Sequence, residues 1–251
     1  MRKQNMIVLT CAVAAVLILA AFIFGCCILP GGGKSPYSSV KVGDIIQFGR
    51  LSLLNGSASE LDWRVLDVHD GKALIISDKI LIKKPFHYDA AKFEKVSLQE
   101  YQSGTVTWEK SSIRQYLNES FYDEAFTKKE KSWIAESKII NSANPWHGTK
   151  GGIDTNDKVF LLNIEELVKY FGDSGQLRNE NRGNMQWISD QYNSSRIAKS
   201  ADDETLWWWL RSPGRNNNHA AYVLDSGYID LSGGFSHYDD GGVRPALWLK
   251  L

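Results

Sequence analysis

The chain has 251 residues, sets 29 basic against 29 acidic side chains and is 43% apolar, which fits neither a disordered polyelectrolyte nor a strongly basic nucleic-acid binder. All three cysteines, Cys11, Cys26 and Cys27, lie near the N-terminus. The rest of the chain is thereby denied a disulfide framework, a thiolate metal site and a cysteine nucleophile.

The first 34 residues carry Arg2, Lys3 and Lys34 and no acid, so the remainder holds 26 basic against 29 acidic groups. The apolar run Met6–Leu29 would span about 36 Å as a helix, enough for the hydrocarbon core of a bilayer. It is longer than the apolar region of a cleaved signal peptide. "IFGC", ending at Cys26, offers a lipidation alternative, although Phe24 is an awkward occupant there and the apolar run continues past the cysteines. A signal anchor over 1–29, with Arg2 and Lys3 kept inside, is the favoured expectation. It places a single-pass protein in the cell membrane with its C-terminal part outside the cytoplasm. Residues 30–40, "PGGGKSPYSSV", follow as a flexible linker. The "GKS" within it lacks the earlier glycine of a phosphate loop, since Ile28 occupies that position.

From residue 41 a single domain is expected. "VGDIIQFGR" (Val42–Arg50) reads as a strand closed by glycine, and Asn55-Gly56 marks a turn. Two β-rich runs flank Asp70-Gly71, a dipeptide suited to the left-handed angles of a tight hairpin. The middle is helical: Ile113, Tyr116, Leu117, Phe121, Ala125 and Phe126 fall near helical spacing, and Thr127 with Glu130 forms a capping box for a further helix. "NPWHGTKGGIDT" is a long irregular loop. "NDKVFLLNIEELVKYFG" reads as a strand, then Asn163 as cap with Glu166 three residues on, then a helix stopping at Gly172. Strands return at Leu206–Leu210, Ala220–Leu224, Gly227–Leu231 and Val243–Leu249. This order specifies an α+β fold with a mixed, mainly antiparallel sheet.

Catalytic patterns are weak. "GDSGQ" (Gly172–Gln176) is similar to the nucleophile segment of trypsin-like proteases, but Gln176 stands where glycine is needed and no accompanying histidine motif exists. His69, His87, His147, His219 and His237 are scattered without metal-ligand spacing. Asp239 and Asp240 are weak calcium candidates, since carboxylates beside amide carbonyls suit that ion.

The segment after the three tryptophans is richer. Asn216, Asn217, Asn218, His219, Tyr222, Tyr228, Phe235, His237 and Tyr238 combine rigid aromatic area with adaptable hydrogen bonding, the palette of binding surfaces. Strand alternation sends Trp207 and Trp209 to one side and Trp208 to the other. Arg211 and Arg244, each amid apolar residues, are expected to act as structural clamps on carboxylates or carbonyls.

"VGDIIQFG", "WRVLDVHDGKALIIS", "TWEKSSIRQYLN", "DKVFLLNIEE", "WWLRSPG" and "GGVRPALWL" occur in order over Val42–Leu251. Together they resemble a bacterial domain-of-unknown-function family found on exported proteins. The C-terminal half is similar, more distantly, to C-type-lectin-like folds, the group that includes formylglycine-generating enzymes and retroelement-diversified receptors. The resemblance implies a C-type-lectin-like sheet with helices from the middle of the chain. It does not carry over the formylglycine-generating activity, because that implies cysteine thiolates and residues 28–251 have no cysteine.

The expected function is a membrane-anchored ligand-binding or adhesion module using the Asn216–Tyr238 surface. Its expected partners are the membrane, through the N-terminal helix, and a glycan, peptidoglycan or protein outside the cell; no cofactor and no nucleic acid are expected. Two alternatives stand beside it: a cell-envelope enzyme acting on glycan or peptide, and a sensor or structural ectodomain.

Overall fold

The computed structural model describes residues 35–52, 58–179 and 183–251. The expected anchor, Cys26, most of the glycine linker and the Asn55-Gly56 turn lie outside these residues. Among the described residues no helix is long and apolar enough to cross a membrane.

The domain, residues 35–251, is mixed α+β and mainly antiparallel. Strands β1 (Ile45–Ser52), β2 (Ala58–His69) and β3 (Lys72–Ser77) form a meander. Asp70 (φ 49°) and Gly71 (φ 67°) both take left-handed angles at the β2–β3 turn, as the Asp-Gly dipeptide predicted. Along β2 Leu61, Trp63 and Val65 point inward while Asp62 and Arg64 face water. A bulge between Val65 and Asp67 then buries Leu66 as well. β4 (Ile82–Lys83), β5 (Ile134–Ala135), β6 (Ser137–Ile139), β7 (Thr155–Asp157) and β8 (Trp187–Ile188) are short. β9 (Ala198–Lys199) and β10 (Thr205–Leu206) make a separate ribbon. The C-terminal strands are β11 (Trp208–Pro213), β12 (His219–Val223), β13 (Ile229–Phe235), β14 (Gly242–Val243) and β15 (Ala246–Lys250).

One sheet has the order β1-β2-β3-β15-β5 and the other β4-β14-β11-β12-β13-β8, with β11 and β14 as the parallel pair. The stretch Val243–Leu249, expected as one strand, is thus divided between two sheets. Arg244-Pro245 carries the chain across. Pro245 has no N–H to give a ladder, and its carbonyl accepts from Ser77 N–H at 2.8 Å. The tryptophan strand likewise starts later than expected: Thr205–Leu206 pairs with β9, and only from Trp208 does the chain join β12.

Helices α1 (Ala90–Phe93) and α2 (Leu98–Gln102) precede α3 (Ser112–Tyr116), which runs through a wide π turn (Leu117–Phe121) into α4 (Tyr122–Ala125). The widening has a local cause. Asn118 Nδ2 donates to Arg114 O, the carbonyl four residues back, and to Val159 O. Its Oδ1 accepts from the backbone N–H of Lys158 and Val159. A side chain thus intrudes on the helical ladder to pin a neighbouring segment.

α5 (Lys128–Trp133) starts at the Thr127–Glu130 capping box, and α6 (Ile164–Phe171) at a second box formed by Asn163 and Glu166. α7 (Asn193–Arg196) is a single turn. The strand expected before α6 forms only at its start, as β7 paired with β6, and then as one bridge, Phe160 with Ala246. The core is continuous between the sheets. It takes Phe48, Trp63 and Leu247 from one, Trp208, Trp209 and Leu231 from the other, and Leu167 and Phe171 from α6.

Candidate binding surface

The tight turn between β11 and β12, Gly214–Asn218, is built by backbone bonds. Gly214 N–H donates to His219 O at 2.7 Å and Arg215 N–H to Ser232 O at 2.8 Å. From outside, Asn144 clamps it: Nδ2 donates to Pro213 O and Leu231 O, both at 2.8 Å. Asn144 Oδ1 meanwhile accepts from the N–H of Trp146 and His147, fixing the irregular loop. Thr149 Oγ1 adds a bond to Arg215 O.

A second segment covers part of this region. Val106 N–H donates to Asn217 O, Ser236 N–H to Asn218 O, and His87 N–H to Ser236 O. Consequently the predicted residues divide. Asn216, Asn217 and Tyr238 are exposed; Tyr222, Tyr228, Phe235 and His237 are half-buried. Asn218 and His219, expected on the surface, are buried. Their side chains bond one another instead, His219 Nδ1 lying 2.7 Å from Asn218 Oδ1. The outward face is therefore narrower than the sequence implied.

Most of the predicted aromatic groups meet. The rings of His219 and Phe235 are 4.4 Å apart, and Phe235 also contacts His237 and Tyr238. His237 continues to Phe93 and Tyr101. Tyr222 packs instead against Trp207 at 5.0 Å, and Trp207 against Trp209 at 4.6 Å. Tyr228 is not brought to the group; it stands beyond the other end of the β12–β13 hairpin.

Two hollows border the turn. The first is an open groove of about 440 Å³ bounded by Gln99, Gln102, Arg215, Asn216, Asn217 and Phe235. The second, about 70 Å³, lies among His87, Lys92, Tyr101, Asn218 and His237. Burial holds His87, His219 and His237 below the usual histidine pKa and raises the Tyr101 and Tyr222 hydroxyls. Gln99, Gln102, Tyr101 and His87 were not among the sequence candidates. A signal existed, because Asp89 and Ser97 are N-cap residues whose side chains accept from N–H groups three residues on.

Asp239 and Asp240 are exposed. Among the described residues no group of three or more His, Cys, Asp or Glu side chains gathers to hold a metal.

On the other side of the strand, Trp208 Nε1 donates to Arg196 O, away from the Trp207–Trp209 pair. Arg211 makes a bidentate pair with Glu166, the acid of the second capping box, and also donates to Leu161 O. Arg244 donates through Nε to Ser77 O and through Nη2 to Asp78 O.

Fold and surface together define a mixed α+β domain in which one hairpin and a two-helix cover frame an amide-lined groove. Residues 70–251 match the family described as Domain of unknown function (DUF6273), and the chain belongs to that family. The match takes in every candidate surface residue, while β1 and β2 precede it. No curated protein and no solved structure matches the chain.

Proposed function

We propose that the domain is a ligand-binding or adhesion module of C-type-lectin-like architecture, displayed outside the cytoplasm by the N-terminal segment, and that it takes a glycan in the groove beside the Gly214–Asn218 turn. The observation that carries this reading is the composition of the groove. Gln99, Gln102, Asn216 and Asn217 line it together with Phe235. Amides donate and accept at once, matching vicinal hydroxyls, and an aromatic ring offers a face to the apolar side of a sugar. Supporting the lectin-like part is the order of elements: a tryptophan strand, a loop-rich hairpin, then a final strand that follows Arg244.

The test is binding of the purified full chain, held in detergent, to a glycan panel and to isolated cell-wall sacculi. Wild type should bind at least one component saturably, and Asn217→Ala and Gln102→Ala should each weaken it roughly three- to tenfold, the worth of one lost hydrogen bond. Absence of binding across the panel, or binding by both variants as tight as by wild type, would overturn the proposal. The alternative of an envelope enzyme draws on the small cavity where His87, Tyr101 and His237 converge. Soluble fragments released from the sacculi, and lost in His237→Ala, would favour it instead.

A further inference from the structure

Among the described residues three arginines are buried, and they are not treated alike. Arg196 is paired with Asp190 at 2.9 Å, and Arg211 with Glu166. Arg244, 2% exposed, has no carboxylate within ion-pair distance among the described residues. Two carbonyls accept from it, and its guanidinium packs against the adjoining rings of Phe171 (5.4 Å) and Trp208 (5.1 Å). Its Nη1 is buried with no hydrogen-bond partner, as is Ser77 Oγ on the residue whose carbonyl it holds. Burial lowers its pKa to about 10 despite the opposing influence of Asp78. A buried cation without a counter-charge is costly, and native structures seldom keep one without cause.

Arg244 also lines an open cavity of about 600 Å³, within the range of small-molecule sites. Val65, Phe171 and Ile197 give it apolar walls, and Ser194 and Ser195 give hydroxyls. The other charged residues around it are Arg64, Lys79, Lys199 and a single acid, Asp78. Asp78 is engaged by Arg64 at 2.8 Å and Lys79 by Asp203 at 2.9 Å, leaving the cavity with an excess of positive charge.

From this we infer that the cavity between Arg64, Lys199 and Arg244 is a binding site for a small organic oxyanion, whose carboxylate or phosphate supplies the counter-charge that Arg244 lacks. Arg64 and Lys199 meet the anion at the mouth, while Arg244 acts on it from the floor through a medium of low dielectric. The volume exceeds what an inorganic ion fills, so the charged group is carried on a compact body. This site is separate from the groove of the proposed function, sharing none of its residues.

Isothermal titration of the full chain in detergent, at constant ionic strength, tests it with three probes of one shape: glucuronate, glucose 6-phosphate and neutral glucose. At least one acid should bind tenfold or more tightly than glucose, and which one does so separates carboxylate from phosphate. Arg64→Ala and Lys199→Ala change exposed side chains, so each should leave the melting temperature within about a degree while weakening the acid roughly tenfold. Acids that bind no better than glucose, or that bind both variants as they bind wild type, overturn the inference.

Discussion

The backbone N–H of Ser112 donates to Nδ1 of His87 at 3.2 Å. His87 must therefore be neutral, with its proton on Nε2, because a protonated ring would present N–H against N–H. Burial pushes its pKa down, with Asp89 opposing and Lys92 adding to the effect; His219 and His237 are lowered by burial too. For a group whose folded pKa is depressed, the unfolded chain binds the proton more readily. The contribution is complete above the ordinary value of 6.5 and is lost as pH falls through the folded value. Melting temperature should thus fall between pH 7.5 and 5. His87→Asn, which keeps an acceptor near Nδ1 but cannot take up the proton, should show a shallower fall. A variant slope equal to wild type would reject the role given to His87.

Arg211 and Arg244 should respond differently to the same substitution. Arg211→Met strands Glu166 and takes a donor from Leu161 O, so a loss of about 3–5 kcal/mol is expected, as when one partner of a buried pair is removed. Arg244→Met also gives up two carbonyl bonds, but it strands no carboxylate and removes an unpaired buried charge. Its cost should be smaller, about 1–2 kcal/mol. Urea denaturation with unchanged m-values measures both, and equal losses would contradict the distinction.

Local signals in the sequence reached the structure well where they depend on a few neighbouring atoms. The Asp70-Gly71 turn and both capping boxes, Thr127–Glu130 and Asn163–Glu166, form as the residue types require. The opposite orientation of Trp208 from Trp207 and Trp209 follows from strand alternation. The failures share a different origin, in partners far along the chain. Pro245 marks a break within Val243–Leu249, but nothing nearby announces that the chain will cross between sheets there, since the groups that hold the crossing are the carbonyls of Ser77 and Asp78. Asn218 and His219 look like exposed loop residues until Val106 and His87 arrive to cover the turn. The candidate surface was accordingly half legible: the turn and its amides could be read, whereas the caps at Asp89 and Ser97 mark two helices without saying that Gln99 and Gln102 will wall the groove.

Asn144 Nδ2 donates to two carbonyls from different strands, Pro213 O and Leu231 O. Asn144→Ala takes one donor from Pro213 O and from Leu231 O and one acceptor from the N–H groups of Trp146 and His147, at an expected cost of about 2–4 kcal/mol. Asn144→Asp is the sharper test. The carboxylate matches amide shape and still accepts from both N–H groups, yet it turns an acceptor toward two carbonyls. It should therefore be at least as damaging as alanine. Differential scanning calorimetry of the two variants decides this, and a benign Asn144→Asp would show that the acceptor half of the side chain matters alone.

Gly233 and Gly71 separate two reasons for keeping glycine. Both take positive φ, 71° and 67°, so alanine at either position meets the left-handed penalty of about 1 kcal/mol. At Gly71 nothing lies within 4 Å of where a Cβ would stand. At Gly233 a Cβ would press on the carbonyl of Ala220 and approach Gly214 at 3.0 Å. Those contacts fall where β12 and β13 shift register between Ala220 and Tyr222, directly behind the Gly214–Asn218 turn. Neither contact is a flexible side chain able to move aside, so the hairpin itself must separate. Gly71→Ala should lower stability by roughly 1 kcal/mol, and Gly233→Ala by more than about 3 kcal/mol. Because the shift would displace Asn216 and Asn217, Gly233→Ala should also weaken any ligand held in the groove, while Gly71→Ala should leave it intact. Equal behaviour of the two variants in denaturation would mean that backbone strain alone, and not close approach behind the groove, fixes glycine at position 233.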